Sequence, residues 1–127
     1  MILFTWYKKY SVNNEELDEH HKALFNIINK LYENCMYMAN RHELAPITDE
    51  LILYSNYHFT AEEQHMSNIE YKEIEKHISE HISFKQRALQ LQQDIDKNDY
   101  EGSKELIAFL GNWLLHHVME EDKKYSA

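Results

Sequence analysis

The sequence HFTAEEQHM spans residues 58–66, and the sequence HISEHISF follows at residues 77–84. On an α-helix, residues four apart differ in direction by only about 40°. His58 with Glu62, and His77 with His81, therefore each direct two ligand-type side chains the same way. Imidazole and carboxylate groups suit iron, zinc, copper or manganese, and helical bundles hold metals between facing helices. We interpret the rest of the chain as the scaffold and the remaining ligands of such a site.

The composition is that of one all-α domain. The 127 residues are 43% hydrophobic, which is enough for one core and too little for two comfortable ones. Only two glycines and one proline interrupt the chain, so there is little turn chemistry for a many-stranded β protein. We predict a single domain over residues 1–127.

Charge and hydropathy argue against several classes of partner. The formal net charge of −9 repels nucleic acid and anionic lipid surfaces. No apolar run approaches the ~18 residues of a membrane-spanning helix, and the first residues carry their basic side chains after the short apolar run, the wrong order for a secretory signal. The single cysteine, Cys35, agrees with a reducing compartment. We expect a cytoplasmic monomer without nucleic-acid or membrane partners.

Apolar residues recur with helical spacing in four segments. Capping and turn residues predict helices at approximately 14–40, 46–67, 72–97 and 103–121. The aromatic-rich residues 1–12 have no period that predicts a helix or strand, and we predict an extended arm that packs its aromatics across the helices. Four amphipathic helices with short connections pack most simply as an antiparallel up-down-up-down four-helix bundle.

Histidine falls on the inward face of all four predicted helices. A lone histidine on an apolar face is usually a core residue that is hydrogen-bonded to a neighbour. Burying this many ionisable groups without partners would cost several kcal/mol each, which approaches the whole stability of a small domain. A bound cation removes the cost because it favours neutral imidazole and ionised carboxylate. The pattern therefore predicts a metal site in the core.

Four motifs together resemble a known family. LDEHHKALF at residues 17–25, HFTAEEQHM, HISEHISF and WLLHHVMEED at residues 113–122 are similar, in this order, to the successive motifs of hemerythrins, and most of all to the single-domain bacterial branch, the bacteriohemerythrins. The resemblance covers nearly the whole chain, including the aromatic arm. It implies a four-helix bundle that holds a non-haem di-iron centre and binds dioxygen reversibly.

The resemblance also implies the role of each site residue. His77, His81 and His117 would ligate one iron ion, and His21 and His58 the other. Glu62 and Asp122 would bridge the two ions, together with an oxo or hydroxo group. The implied walls of a dry dioxygen pocket are Leu24, Phe59, Trp113, Leu114 and Val118, although apolar residues at these spacings are core residues in any bundle.

Spacing alone leaves several choices open. His65 lies seven residues after His58, within about 20° of it on a helix, so periodicity would admit it as a ligand. Glu121, four residues after His117, fits one helical face better than Asp122. Choosing Asp122 implies that the fourth helix loosens, as a π-type bulge would allow. Cys35 is most simply a small core residue.

Several functions are compatible with these residues. The preferred hypothesis is dioxygen binding for storage, delivery or scavenging, without an enzymatic reaction and with a possible redox or delivery partner. The alternatives are a di-iron enzyme that handles peroxide, nitric oxide or ferrous iron, and an oxygen-sensing or redox-sensing module. A structural zinc site would use only about four of the seven ligands.

Overall fold

The computed structural model describes residues 4–37 and 40–125, and these residues form helices and no strands. A 3-10 turn at Lys8–Tyr10 precedes the first long helix. The long helices are α1 (Glu15–Met36), α2 (Arg41–Asn68), α3 (Ile74–Asp96) and α4 (Tyr100–His116). A π-helical turn at His117–Asp122 and a short helix α5 (Lys123–Tyr125) continue α4.

The four long helices close into a bundle. Each contacts the next along the chain, and α1 packs against α4. Because the connections are short, consecutive helices run antiparallel. The core along the bundle axis includes the fully buried Leu24, Phe59, Phe84 and Leu91. These observations confirm the predicted all-α four-helix bundle. Within the described ranges, none of the helices combines the length and the apolar character that crossing a membrane requires.

Polar side chains cap the first, second and fourth long helices. The side chains of Asn14, Asn40 and Asp99 accept hydrogen bonds from the backbone N–H groups of Leu17, Glu43 and Gly102, which satisfies donors that a helix start leaves unpaired. Left-handed residues follow α2 and α3 without the help of glycine: Glu70 has φ 53° and Asn98 has φ 58°. The connections are therefore defined by local hydrogen bonding.

Two helix starts differ from the predicted limits. α2 begins at Arg41, not at residue 46, because Asn40 caps it and the buried Leu44 already packs into the core. Pro46 lies inside the helix, not in its first turn. α4 begins at Tyr100, before the predicted 103, because Asp99 caps it and Gly102 belongs to its first turn.

The helix ends differ from the predicted limits as well. α1 ends at Met36, whereas the prediction extended to residue 40; residues 38 and 39 lie outside the described residues. α3 spans Ile74–Asp96, against a predicted 72–97. In the fourth helix, regular α geometry ends at His116 and the π turn carries it to Asp122.

The aromatic arm lies against α1 and α4. The N–H of Phe4 donates to Asn29 Oδ1 at 2.7 Å, and Asn29 Nδ2 donates to the carbonyl of Phe4 at 2.6 Å. The Phe4 ring stacks on Phe25, with 6.0 Å between ring centroids, and occupies the space over Gly111 that a Cβ would fill. The described part of the arm is not extended throughout, because the 3-10 turn interrupts it; residues 1–3 lie outside the described residues.

Candidate metal centre

Two groups of buried donor side chains meet in the core and share Glu62. Within each group the candidate ligand atoms lie within 4.8 Å of one another. The three-histidine group comprises Glu62, His77, His81 and His117, and the two-histidine group comprises His21, His58, Glu62 and Asp122. The structure thus brings together all seven residues that the resemblance implied as ligands.

Three of the long helices and the π turn that continues α4 contribute to these groups. His21 belongs to α1, and α2 supplies His58 with Glu62 one helical turn later. His77 and His81 have the same spacing on α3. His117 and Asp122 are the first and last residues of the π turn. Because a π turn joins residues five apart, it places both on one side of the chain, so the loosening that the choice of Asp122 required is present.

The carboxylate of Glu62 spans both groups. Its Oε1 lies 2.8 Å from His81 Nε2 and 3.1 Å from His77 Nε2. Its Oε2 lies 3.3 Å from His21 Nε2 and 3.2 Å from His58 Nε2. One oxygen therefore faces each group, which is the arrangement of a carboxylate that bridges two cations.

Asp122 spans the two groups in the same way. Its Oδ1 lies 2.8 Å from His77 Nε2 and 3.0 Å from His117 Nε2, while Oδ2 lies 3.1 Å from His21 Nε2. Both oxygens are fully buried and, among the described residues, neither makes a hydrogen bond of acceptable geometry. Buried carboxylates are normally hydrogen-bonded, so these two oxygens are oriented for a cation.

Contacts between imidazoles also fit a metal. His117 Nε2 lies 2.9 Å from His77 Nε2 and 3.2 Å from His81 Nε2. Each ring nitrogen is either a donor or an acceptor, and three Nε2 atoms this close to one another and to carboxylate oxygens cannot all be paired through protons. Histidine and carboxylate donors are the set that iron uses in helical bundles. The residues present therefore fit a pair of iron ions.

Electrostatics within the centre separate the histidines into two kinds. Burial lowers the pKa of His21, His77 and His117, but the close carboxylates of Asp122 and Glu62 outweigh it and raise these pKa values to about 9, about 9 and about 10. Burial dominates at His58 and lowers its pKa.

The two shared carboxylates stay ionised. Burial raises the pKa of Glu62 and of Asp122, yet the surrounding imidazoles more than compensate, and both pKa values lie well below the ordinary range. The largest opposing contribution comes from the charge of His58 at Glu62 and of His117 at Asp122. The centre thus presents two anionic groups to a cation.

Four further residues contact the donors and were not predicted from the sequence. Tyr125 donates its hydroxyl hydrogen to Glu62 Oε2 at 3.0 Å, and carboxylates of Glu63 and Glu80 lie against the Nδ1 atoms of His81 and His117. His20 lies against the Nδ1 atom of His58. Glu63 follows Glu62 in the sequence and Glu80 precedes His81. This adjacency was the only sequence feature that could have indicated their role.

Two of the five residues proposed as pocket walls stack on donor rings. Phe59 stacks on the His81 ring at 4.0 Å between centroids, and Trp113 stacks on His117 at 4.4 Å. Leu24, Leu114 and Val118 are buried in the same core cluster. Phe59 is a buried member of that cluster as well, whereas Trp113 is partly buried and packs against it. The two aromatic residues cover ligand rings directly.

Residues that spacing left open lie apart from both groups. His65 packs against the ring of Tyr125 at 5.3 Å between centroids, and Glu121 pairs with Lys124 at 3.3 Å. Cys35 is a buried core residue whose thiol lies 3.9 Å from the carbonyl of Tyr100; burial raises its pKa.

Comparisons with known proteins agree with this geometry. The family model described as "Hemerythrin HHE cation binding domain" matches residues 12–127. The bacteriohemerythrin of Clostridium acetobutylicum is 31% identical, over 97% of this chain and 98% of its own length. The corresponding protein of Methylococcus capsulatus is 30% identical over 98% and 95%. A hemerythrin-like protein of Naegleria gruberi is 33% identical over 96% and 90%.

Solved structures give the same result for the fold. A wild-type hemerythrin crystal structure aligns with a TM-score of 0.84 at 29% identity, covering 98% of this chain and 95% of that one. A point mutant of hemerythrin aligns with a TM-score of 0.86 at 28% identity, covering 99% and 96%. The resemblance inferred from the four motifs is confirmed, and the chain belongs to the hemerythrin family.

Proposed function

We propose that this chain binds dioxygen reversibly at a non-haem di-iron centre, for oxygen storage, delivery or scavenging. The observation that carries the proposal is the convergence of seven buried donor residues as two groups joined by Glu62 and Asp122. The hemerythrin relatives support it. When bound, two ferrous ions would each supply one electron to dioxygen and recover it on release, and a hydroxo bridge would supply and take back a proton.

The ligand assignment follows the two groups. His77, His81 and His117 would hold one ion, and His21 and His58 would hold the other. The ion held by His21 and His58 would have fewer protein ligands, so it would offer a free coordination position to dioxygen. Glu62 and Asp122 would bridge because each presents one oxygen to either group.

The balance of ligands favours binding over bond cleavage. Five neutral imidazoles and two carboxylates stabilise highly oxidised iron less than carboxylate-rich bundle sites do. Dioxygen is then more readily returned intact. On this basis we place the protein among oxygen-binding proteins and not among the di-iron enzymes.

The apolar walls would protect the bound gas from water. Leu24, Phe59 and Val118 are 0% exposed and Leu114 is 1% exposed, and the stacked Trp113 completes the set. Excluding water limits proton delivery and loss of reduced oxygen. Tyr125 would hold the bridging carboxylate in orientation through its hydroxyl.

Anaerobic reconstitution with ferrous iron tests the proposal. We expect two iron ions per chain and a visible absorption that appears in air and fades when oxygen is removed. His58→Ala should lose this response, whereas His116→Ala, at an exposed position next to a proposed ligand, should keep it. Irreversible oxidation within one cycle, or sustained turnover of peroxide or nitric oxide, would count against an oxygen carrier.

The remaining expectations concern the molecule in solution. We infer a monomer, because the net charge of −9 opposes self-association, and a reducing compartment such as the cytoplasm, because the only cysteine is a buried thiol. Light scattering at several salt concentrations tests the first. A stable dimer would contradict it.

A further inference from the structure

Two imidazoles of the three-histidine group are backed by negative charge. His81 Nδ1 lies 2.8 Å from Glu63 Oε2, and His117 Nδ1 lies 3.0 Å from Glu80 Oε2. The Nε2 atoms of the same rings point into the centre. A carboxylate behind a ligating imidazole fixes its tautomer and raises its basicity. These two rings are therefore held as strong ligands.

In the two-histidine group, the partner of His58 is a second imidazole. His58 Nδ1 lies 3.1 Å from His20 Nδ1. The His20 ring is buried, packed between Tyr54 and Tyr57 at 5.9 and 5.0 Å between centroids. Its other nitrogen, Nε2, lies 3.8 Å from the exposed carboxylate of Glu16. A neutral group thus stands where the other group has carboxylates.

This ring contact determines where two protons lie. His58 Nε2 faces Glu62 Oε2 at 3.2 Å, so a metal bound there needs Nε2 without hydrogen. The ring proton of His58 must then be on Nδ1 and be donated to Nδ1 of His20. A histidine can accept at Nδ1 only when it is neutral with its own proton on Nε2, which here faces Glu16.

We propose that His20 is a positioning residue: it holds His58 in the metal-ligating tautomer and, because it is uncharged, gives the second metal ion a weaker site than a carboxylate would give. The inference rests on the two-metal centre proposed above. The three-histidine group then binds the first metal ion. His20 affects the affinity for the second metal ion and not for the first.

Anaerobic titration of the metal-free chain with cobalt(II), followed by calorimetry and visible absorption, resolves the two steps. His20→Ala should weaken the second step about 10–100-fold, the usual cost of losing such a partner, and leave the first unchanged. His20→Gln retains an acceptor and should restore most of the affinity. His20→Glu should bind the second ion more tightly than the wild type.

Two controls separate orientation from packing. His20→Phe keeps a ring between Tyr54 and Tyr57 but has no acceptor, so it should behave like His20→Ala. His116→Ala removes an exposed histidine that immediately precedes His117, as His20 precedes His21, and should change neither step. In the zinc(II)-loaded chain, proton–nitrogen NMR of the rings should show hydrogen on His58 Nδ1, and this signal should be lost in His20→Phe.

Distinct results would overturn the inference. Equal weakening of both steps in His20→Ala, or wild-type titration in His20→Phe, would show that the ring serves only packing. Two cobalt ions bound without a response to any His20 substitution would overturn the role of His20 while leaving the two-metal centre intact. A wild-type chain that binds only one ion would overturn the centre itself and this inference with it.

Discussion

The carboxylate of Asp122 faces both donor groups of the metal centre. Its two oxygens reach His77 and His117 on one side and His21 on the other. The neighbouring Glu121 carries the same charge but pairs with Lys124 away from the centre. At the scale of single residues, we therefore expect substitution of Asp122 to affect metal binding and substitution of the adjacent Glu121 to leave it unchanged.

Asp122→Asn should reduce the bound metal from two ions to one per chain, because an amide is a poor bridging ligand. Glu121→Gln is the matched control and should retain two. Metal analysis after reconstitution and desalting measures both. Two ions in Asp122→Asn, or one in Glu121→Gln, would show that the bridging carboxylate is misassigned.

Tyr125 provides a second test at this scale. Tyr125→Phe keeps the buried ring but removes the hydroxyl that donates to Glu62. We expect the metal-free chain to lose about 1.5–3 kcal/mol of unfolding free energy, the usual net value of a hydrogen bond to a charged group, while still binding two ions. The unfolding free energy is measured in urea.

Tyr71→Phe is the control for this substitution, because its hydroxyl donates to Glu73 near the surface at 3.3 Å. It should change the unfolding free energy by less than about 0.5 kcal/mol. Equal effects of the two substitutions would mean that the contact between Tyr125 and Glu62 contributes nothing of its own.

At the scale of elements, periodicity identified all four helices but not their ends. The apolar stripe of α2 does not reveal that Asn40 caps it and that Pro46 is tolerated inside it. Similarly, regular helical geometry favours Glu121, four residues after His117, whereas Asp122 faces the donors because the chain forms a π turn from His117 to Asp122. Helical periodicity does not predict that turn. Element type follows from local pattern, whereas boundaries and bulges follow from contacts distant in sequence.

The arm and α4 are linked through Gly111. A Cβ at this position would clash with the Phe4 ring, so Gly111→Ala should destabilise the protein by about 1–3 kcal/mol through overpacking. In a Phe4→Ala background the same substitution should stabilise by about 0.5–1 kcal/mol, because alanine is the better helix former. Urea unfolding of the four proteins in this cycle checks the change of sign.

A Gly111→Ala substitution with the same effect in both backgrounds would mean that the arm is not seated on α4. Near-ultraviolet circular dichroism of the aromatic cluster offers an independent check, because displacing the Phe4 ring from Phe25 should change it.

At the scale of the molecule, the site is assembled from α1, α2, α3 and the π turn that continues α4. Helical spacing could place all five predicted histidine ligands on inward faces, but the grouping of three against two depends on how the helices pack. The partners His20, Glu63, Glu80 and Tyr125 were missed because nothing in a single sequence reports which side chains lie behind a ligand. The resemblance supplied Asp122, which spacing alone disfavoured.

Without metal, stability should depend on pH in a defined way. The raised pKa values of His21, His77 and His117 contribute stability below about 6.5, and this contribution is lost as pH rises to about 9–10. The lowered pKa values of Glu62 and Asp122 contribute stability above about 4.5 that is lost as pH falls. Burial lowers the pKa of His58, which removes stability as pH falls below about 6.5. The metal-free chain should therefore be most stable at about pH 6–6.5.

Metal loading should move this optimum upward. A metal ion needs neutral imidazoles, so binding releases protons and the stability gained from zinc(II) should grow between about pH 5.5 and 8. Urea unfolding with and without zinc(II) across this range measures the change. A metal-free optimum near pH 9, or a gain from zinc(II) that is independent of pH, would contradict the proposed protonation states.

The distribution of donors over three long helices and the π turn that continues α4 also bears on how the loaded protein would open. If any one of these elements detached from the bundle, the metal ions would lose ligands. Metal binding should therefore suppress local unfolding of a single helix. Deuterium uptake by the amides of all four helices should then slow together once metal is bound. The described arm residues supply no donor to either group, and their exchange should continue at its former rate.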